Sequence, residues 1–281
     1  VTNQRLNDYE EKLFFQPDVS GHQTIAKTEL TAPSLYRQVS LNGMNVVLPL
    51  PGLFSLDFDR GKSPVVGQKS LVLYDNAGEH FLAGTDSAAT PVTKHLLHAE
   101  GIIFLFDPTE DPRFRQILNR GERHGVQPGR SQRQDILLVE MMGRIRKHLG
   151  MASGVKLKRP LVLGVSKADL LGDVLPLDEN PWILQPDGHP AMVNLDEIHR
   201  MSQVTRELMD RYAPEIVATV ETLAENVIYI PNSALGHNPT AQGVRPCDIK
   251  PKWVDVPFLY IMARRGYLPY FEQGVKVEPK A

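Results

Sequence analysis

The sequence predicts an α/β fold in which a doubly wound, mainly parallel sheet carries helices on both faces. Short apolar runs of strand length open or fill residues 71–74, 101–106, 161–169 and 226–236. Such runs are typical of strands buried in a parallel sheet. Segments with helical spacing of apolar residues lie between them, and strands that alternate with helices form parallel sheets with right-handed crossovers.

The region before the first of these runs predicts one helix followed by β-structure. Residues 2–15 have apolar positions at helical spacing, and this helix should end near Pro17. Residues 35–41 and 44–58 are rich in strand-forming residues and contain Asn-Gly and Pro-Gly turns. We expect them to form an edge hairpin that precedes the strand at 71–74.

Four helices are predicted after that strand. Residues 134–149 and the last helix at 258–265 have clear helical patterns, and residues 88–98 form a plausible shorter helix. Residues 195–224 predict either one long helix or two, with a break at Pro214.

Two insertions interrupt this alternation. Residues 108–133 are rich in Arg, Pro and Gly, which favours a solvated insertion over an arginine finger that reaches a phosphate or a partner. Residues 171–194 are rich in Pro and should hang above the neighbouring strand ends. Between the strand at 101–106 and the first insertion, Asp107 should cap a loop.

Composition narrows the functional classes. The 281 residues are 42% hydrophobic, enough for one large domain, and the net charge of −2 gives no electrostatic reason to bind nucleic acid. Cys247 is the only cysteine, so disulfide frameworks and thiolate metal clusters are excluded. No apolar run approaches the roughly 20 residues of a membrane span. We therefore expect a cytoplasmic protein without nucleic-acid partners.

Polar motifs follow three of the apolar runs directly. They are Asp75-Asn76-Ala77-Gly78, Ser166-Lys167-Ala168-Asp169 and Ser233-Ala234-Leu235-Gly236. Ligand clefts in open α/β sheets form outside the carboxyl ends of the strands. Asp75 can hold Mg²⁺, and the Gly78 amide can approach a phosphate without a Cβ in the way. The competing interpretation is an ordinary turn at each position and a capping Asp at a helix start.

In their order along the chain, these motifs resemble the third, fourth and fifth motifs of P-loop GTPases. Together with GIIFLFDPTED and the last helix, they are similar to the bacterial double-GTPase-type proteins of conflict gene clusters. This resemblance covers most of residues 1–270. It implies a three-layer GTPase-like domain that binds GTP or GDP with Mg²⁺ and signals through partner proteins.

The resemblance also implies roles for individual residues. Asp169 would accept hydrogen bonds from guanine N1–H and N2–H, the stem of Lys167 would cover the base, and the Ala234 N–H would meet O6. Glu79 or His80 would orient the attacking water. Metal ligands would be Asp75 and one switch threonine, Thr24 or Thr28. The implied nucleotide-binding set is Gly78, Ser166, Lys167, Asp169, Ser233, Ala234 and Leu235.

Two departures from the family stand out. Ser166 replaces the usual Asn or Thr and has a shorter reach, and the phosphate-binding motif G-x-x-x-x-G-K-[ST] is missing from residues 1–281. Three explanations remain open for the second departure. The first strand, its loop and its helix lie upstream of Val1, or residues 21–28 are a degenerate loop, or the loop has been lost.

Two functions follow from these alternatives. The first is a GTP-hydrolysing switch, and the second is a catalytically inactive GTPase-like scaffold that docks partners. We expect one domain over 1–281 that lacks its first strand and phosphate-binding loop.

Overall fold

The structure is a computed structural model of the 281-residue chain. It describes residues 10–11, 15, 21–22, 36–41, 44–56, 69–75, 81, 94–114, 117–118, 133–172, 174–177, 181–184, 190–240 and 242–278.

The centre of the molecule is a three-stranded parallel sheet. Its strands are β5 (Ile102–Phe106), β6 (Leu161–Val165) and β9 (Val227–Pro231), in the order β5-β6-β9. All five residues of β6 are buried, as its uninterrupted apolar sequence predicts for a strand between two others. Three of the four predicted strands are therefore confirmed, together with their parallel pairing.

Four α-helices are described: α1 (Gln134–Leu149), α2 (Leu195–Tyr212), α3 (Pro214–Leu223) and α4 (Val256–Arg264). The break before Pro214 confirms the two-helix alternative, because a proline is favoured in a first turn and excluded from a helix interior. The Ser202 hydroxyl of α2 accepts a hydrogen bond from the Tyr229 N–H at 2.9 Å, so α2 packs along the outer edge of β9. The last helix stops at Gly266 (φ +80°), as predicted.

Two antiparallel pairs precede the parallel sheet. The predicted hairpin forms from β1 (Tyr36–Leu41) and β2 (Met44–Pro49), and β3 (Gly52–Leu56) pairs with β4 (Lys69–Leu73). The prediction for residues 71–74 is only half right. They lie in or next to a strand, but this strand is bonded to β3, and among the described residues no pairing joins it to the parallel sheet.

A further sheet was not predicted. It contains β7 (Trp182–Leu184), β8 (Pro190–Asn194), β10 (Tyr270–Glu272) and β11 (Val275–Val277), in the order β11-β10-β8-β7. The segment 171–194 is therefore not a plain insertion, because it supplies two of these strands. Three strands of only three residues are too short to leave a periodic signal. In the segment 88–98, the described part contains a 3-10 helix at Lys94–Leu97.

The architecture is a mixed α/β fold with its core around the parallel sheet. Phe106, Leu163 and Ile230, one from each parallel strand, are fully buried in one continuous core. An aromatic series links Phe106 through Phe114 to Tyr212 at the end of α2. Among the described helices, none has the length and apolar character needed to cross a membrane.

Candidate functional site

The carboxyl ends of β5, β6 and β9 meet at one edge of the sheet, which we call the rim (residues 107–109, 166–169 and 232–236). Backbone hydrogen bonds join the three loops that form it. The Ser166 N–H donates to the Phe106 carbonyl at 2.9 Å, and the Ala168 N–H donates to the Asn232 carbonyl at 3.0 Å. The second and third predicted motifs are therefore adjacent, as parallel pairing requires.

Lys167 connects the β6 loop to the β5 loop. Its ammonium Nζ lies 2.7 Å from Asp107 Oδ2 and 3.0 Å from Thr109 Oγ1. The backbone of Lys167 is in the left-handed region (φ 51°, ψ 34°), which is unfavourable for a residue with a Cβ. Unfavourable backbone conformations of this kind concentrate at functional sites.

Hydrogen bonds hold both the side chain and the backbone of Asp107. Its Oδ1 accepts from the Thr109 N–H at 2.9 Å, which confirms the predicted capping role. The Gln134 side chain accepts from the Asp107 N–H at 2.7 Å and donates to the Asp107 carbonyl at 2.9 Å. Sequence reasoning missed the Asp107–Thr109–Gln134 clamp on Lys167, because Gln134 lies 27 residues further along the chain.

Arg113, at the start of the arginine-rich segment, forms ion pairs with two carboxylates of the same chain. Arg113 donates to both carboxylate oxygens of Asp111 and forms an ion pair with Glu215 of α3. Burial by itself would raise the pKa of Asp111, but the hydrogen bonds and charge of Arg113 hold it below its usual value. Arg113 therefore ties the β5 loop to a helix.

Asp169 and Ala234 each present a polar group that has no partner in the described part of the chain. The Asp169 carboxylate, on a half-buried residue, receives no hydrogen bond or ion pair there, and the backbone N–H of the exposed Ala234 has no acceptor there. By contrast, the Ser166 hydroxyl already has a partner, because it donates a hydrogen bond to the Phe106 carbonyl at 3.1 Å. The rim thus offers one acceptor and one donor on neighbouring loops.

The loop that carries Ala234 is held firmly. Ser233 exchanges two backbone hydrogen bonds with Lys252, and its Oγ accepts from the Gly236 N–H at 2.8 Å. Leu235 accepts from the Lys250 N–H at 2.9 Å. Gly236 has a positive φ of 75°, and a Cβ there would lie 2.1 Å from the Lys250 carbonyl oxygen. Only glycine fits this position, so the Ala234 N–H is presented by a rigid loop.

Asn232 is a rim residue that sequence reasoning did not select. Its side chain is 8% exposed, and its Nδ2 is buried without an acceptor in the described part. A Cβ on Gly164 would lie 3.2 Å from that nitrogen and 2.8 Å from Leu105 Cδ2. Asn232 therefore lies on the same face of the sheet as Leu105. The Asn-Ser-Ala order gave no signal for this, because the sequence does not reveal an unpaired amide.

Asp75 is the only predicted metal ligand among the described residues, and it is exposed. It follows β4, and Tyr74 before it stacks on His95 with ring centroids 4.2 Å apart. Because β4 and β5 belong to different sheets, no strand ladder among the described residues sets the position of Asp75 relative to Lys167. The structure joins the second and third motifs and leaves the first on a separate strand pair.

The remaining predicted site residues lie outside the described part, and their roles stay predictions. They are Thr24, Thr28, Gly78, Glu79 and His80. Within the described residues, no group of three or more His, Cys, Asp or Glu side chains could hold a metal ion.

Comparisons with protein-family models, with curated proteins and with solved structures find no match to this chain.

Proposed function

We propose that this chain is a GTP-binding switch protein that hydrolyses GTP to GDP and phosphate with Mg²⁺ and acts through partner proteins. One observation carries the proposal. The Asp169 carboxylate and the Ala234 N–H, both without a partner in the described part, lie on loops joined by the Ala168–Asn232 hydrogen bond.

This pair matches the edge of guanine. A carboxylate accepts from both N1–H and the exocyclic N2–H of guanine, and a backbone N–H donates to O6. Adenine has a lone pair at N1 and no 2-amino group, so it would leave the Asp169 carboxylate unpaired. Sites built on polar pairing of this kind reject the wrong analogue by roughly 10⁴–10⁵.

Lys167 supports the same proposal. With its Nζ held by Asp107 and Thr109, its aliphatic stem extends from the β6 loop toward the β5 loop. A flat apolar stem in that place suits the face of a purine base, because long cationic side chains cover apolar surface while the charged end stays with polar partners. The clamp would hold this stem in place before a nucleotide arrives.

The phosphate side of the proposal relies on residues that follow β4. Mg²⁺ bound together with substrate phosphates takes only one or two protein carboxylates, so a single Asp75 is a sufficient acid there. When bound, Mg²⁺ would neutralise charge on the phosphates. In this proposal Gly78 contacts the terminal phosphate and Glu79 or His80 positions the water. The same proposal extends the mixed α/β architecture to a doubly wound GTPase-like fold.

The test exchanges one atom of Asp169. Asp169→Asn presents an amide donor where guanine offers donors and xanthine offers a carbonyl. We expect GTP affinity to fall at least about 100-fold and XTP affinity to rise, measured by calorimetry on the full-length protein. Asp210→Asn, an exposed carboxylate of α2, is the matched control and should leave GTP affinity unchanged. Equal GTP binding by Asp169→Asn and the parent would refute the base site.

A second function is favoured by one sequence observation, the missing G-x-x-x-x-G-K-[ST] motif in residues 1–281. In that case the protein is an inactive GTPase-like scaffold. Phosphate release from GTP by the parent supports the switch enzyme, and its absence together with retained partner binding supports the scaffold.

A further inference from the structure

One residue of β6 has no side chain, and it lies close to the rim. Gly164 pairs with Leu105 of β5 and with Ile230 of β9 in an otherwise apolar strand. A Cβ on Gly164 would lie 3.2 Å from Asn232 Nδ2 and 2.8 Å from Leu105 Cδ2. A glycine inside a strand often marks a close approach of another group. Here the missing side chain leaves room for the Asn232 amide.

The backbone of Asn232 is fixed by the end of β6. Its N–H donates to the Val165 carbonyl at 2.8 Å, and its carbonyl accepts from the Ala168 N–H at 3.0 Å. The residue is 8% exposed, and its Nδ2 has no acceptor in the described part of the chain. Most buried amide donors in folded proteins are paired. Asn232 therefore carries an unsatisfied donor at a rigid position, two residues before Ala234.

Other side-chain donors of the rim already have acceptors. The Ser166 hydroxyl donates to a backbone carbonyl of β5 at 3.1 Å, and the Thr109 hydroxyl donates to Asp107 Oδ1 at 2.7 Å. The Lys167 ammonium lies 2.7 Å from Asp107 Oδ2 and 3.0 Å from Thr109 Oγ1. Asn232 differs from these three donors, because its Nδ2 remains available.

A guanine base offers this donor a specific acceptor. Along its edge, guanine presents the N2–H and N1–H donors and then the O6 and N7 acceptors. In the proposed base site, the Asp169 carboxylate matches the two donors and the Ala234 N–H matches O6. The next acceptor after O6 is N7, and Asn232 lies on the same loop as Ala234.

We propose that Asn232 is a further specificity residue of the base site and that its Nδ2 donates to N7 of the purine. This inference rests on the proposed function, because it needs a base held by Asp169 and Ala234. Nδ2 lies beside Gly164 and has no acceptor to lose there, so a half-turn of the amide about Cβ–Cγ brings it toward the rim. Pyrimidines have no N7, so this hydrogen bond favours purine nucleotides as a class.

GTP and 7-deaza-GTP test the inference, since the second nucleotide has a C–H group in place of N7. We expect the full-length protein to bind 7-deaza-GTP at least about 10-fold more weakly than GTP in calorimetry, because the analogue leaves the Asn232 amide unpaired. Equal affinities for the two nucleotides overturn the inference and leave the proposed function in place, because both present N1–H, N2–H and O6. A protein that binds neither nucleotide rejects the proposed function and this inference with it.

A pair of variants identifies the donor. Asn232→Leu keeps a side chain of similar size without a donor. It should bind GTP about 10-fold more weakly than the parent and should bind GTP and 7-deaza-GTP with equal affinity. Asn226→Leu is the matched control at the other end of β9, where the exposed Asn226 donates to the Lys158 carbonyl at 3.1 Å. It should keep the preference of the parent for GTP.

The ratio of the two affinities separates contact with N7 from a structural role. A loosened rim would weaken binding of both nucleotides by the same factor and leave that ratio unchanged. Asn232→Ala, which lacks the amide and is smaller, should give the same ratio near one as Asn232→Leu. A folded variant of either kind that keeps the parent's preference for GTP overturns the inference.

Discussion

The two ends of β5 lie in very different surroundings. At its carboxyl end, Asp107 and the loops of β6 and β9 are joined by hydrogen bonds and by the Lys167–Asp107 ion pair. Along its first half, β5 lines an apolar groove together with β4, and within the described residues no ladder joins the β3–β4 pair to the parallel sheet. The comparison teaches that hydrogen bonds between its own loops hold the rim together, whereas no ladder among the described residues ties β4 to the parallel sheet.

The largest predicted effect compares how much a buried ring of β5 and a ring of β3 contribute to the free energy of unfolding. Phe106→Ala removes a fully buried ring beside Phe114 and should lower the free energy of unfolding by about 3–5 kcal/mol. Phe54→Ala in β3 removes a half-buried ring and should cost only about 1 kcal/mol. Urea unfolding of both variants measures the difference. Similar losses for the two would show that the β3–β4 pair is packed as tightly as the rim.

The second prediction concerns the rigid loop of the rim. Gly236→Ala must place a Cβ 2.1 Å from the Lys250 carbonyl oxygen at a positive φ, so it should cost about 2–3 kcal/mol. Gly154→Ala is the matched control, since Gly154 also has a positive φ (82°) but open space around it. It should cost only about 1 kcal/mol in the same urea titration. A Gly236→Ala variant as stable as Gly154→Ala would mean that the loop yields easily.

The contrast between the parallel sheet and the β3–β4 pair also explains which strands and pairings the sequence could predict. The runs of β5, β6 and β9 are uninterrupted and apolar, so their strands and parallel pairing were predictable. The run at 71–74 looks the same, yet among the described strands its strand pairs only with β3. An apolar run predicts that a strand will be buried, but it does not identify the strand that pairs with it or the helix that packs on it.

Long-range side-chain contacts were beyond sequence reasoning for a different reason. Lys167 and Asp169 were selected from a local motif, and the structure places both at the rim. The clamp on Lys167 depends on Gln134 at the start of α1, and no local pattern pairs residues on separate elements. The short strands β7, β10 and β11 were missed because three residues carry no usable period.

The third prediction concerns the pH dependence of the Asp111–Arg113 ion pair, which lies near the carboxyl end of β5. Because Arg113 holds the folded-state pKa of Asp111 below its unfolded value, the contribution of this carboxylate to stability is full above about pH 4. It is lost as the pH falls through the lower folded-state pKa. Asp111→Asn should therefore cost about 1–2 kcal/mol at pH 7, and the difference from the parent should shrink as the pH falls through the lowered folded-state pKa of Asp111.

Urea unfolding at pH 7, 5 and 3 measures this convergence. Asp248→Asn is the control, because the Asp248–Arg245 pair is exposed and screened by solvent, so it should change stability little at any of these pH values. A difference between Asp111→Asn and the parent that stays constant with pH would rule out the ionised carboxylate as the cause.

The smallest predicted effect on stability is at Lys167, where the backbone conformation is destabilising and the side-chain contacts are stabilising. Lys167→Gly relieves a left-handed backbone that costs about 1–2 kcal/mol for a residue with a Cβ. It loses the half-exposed ion pair with Asp107, worth about 0.5 kcal/mol, and the added freedom of glycine in the unfolded chain costs about 0.5–1 kcal/mol. The net change in unfolding free energy should lie near zero, while GTP affinity should fall because the stem over the base is gone. A large loss of stability with unchanged GTP affinity would make Lys167 a structural residue, and the rim would then be only a well-packed end of the sheet.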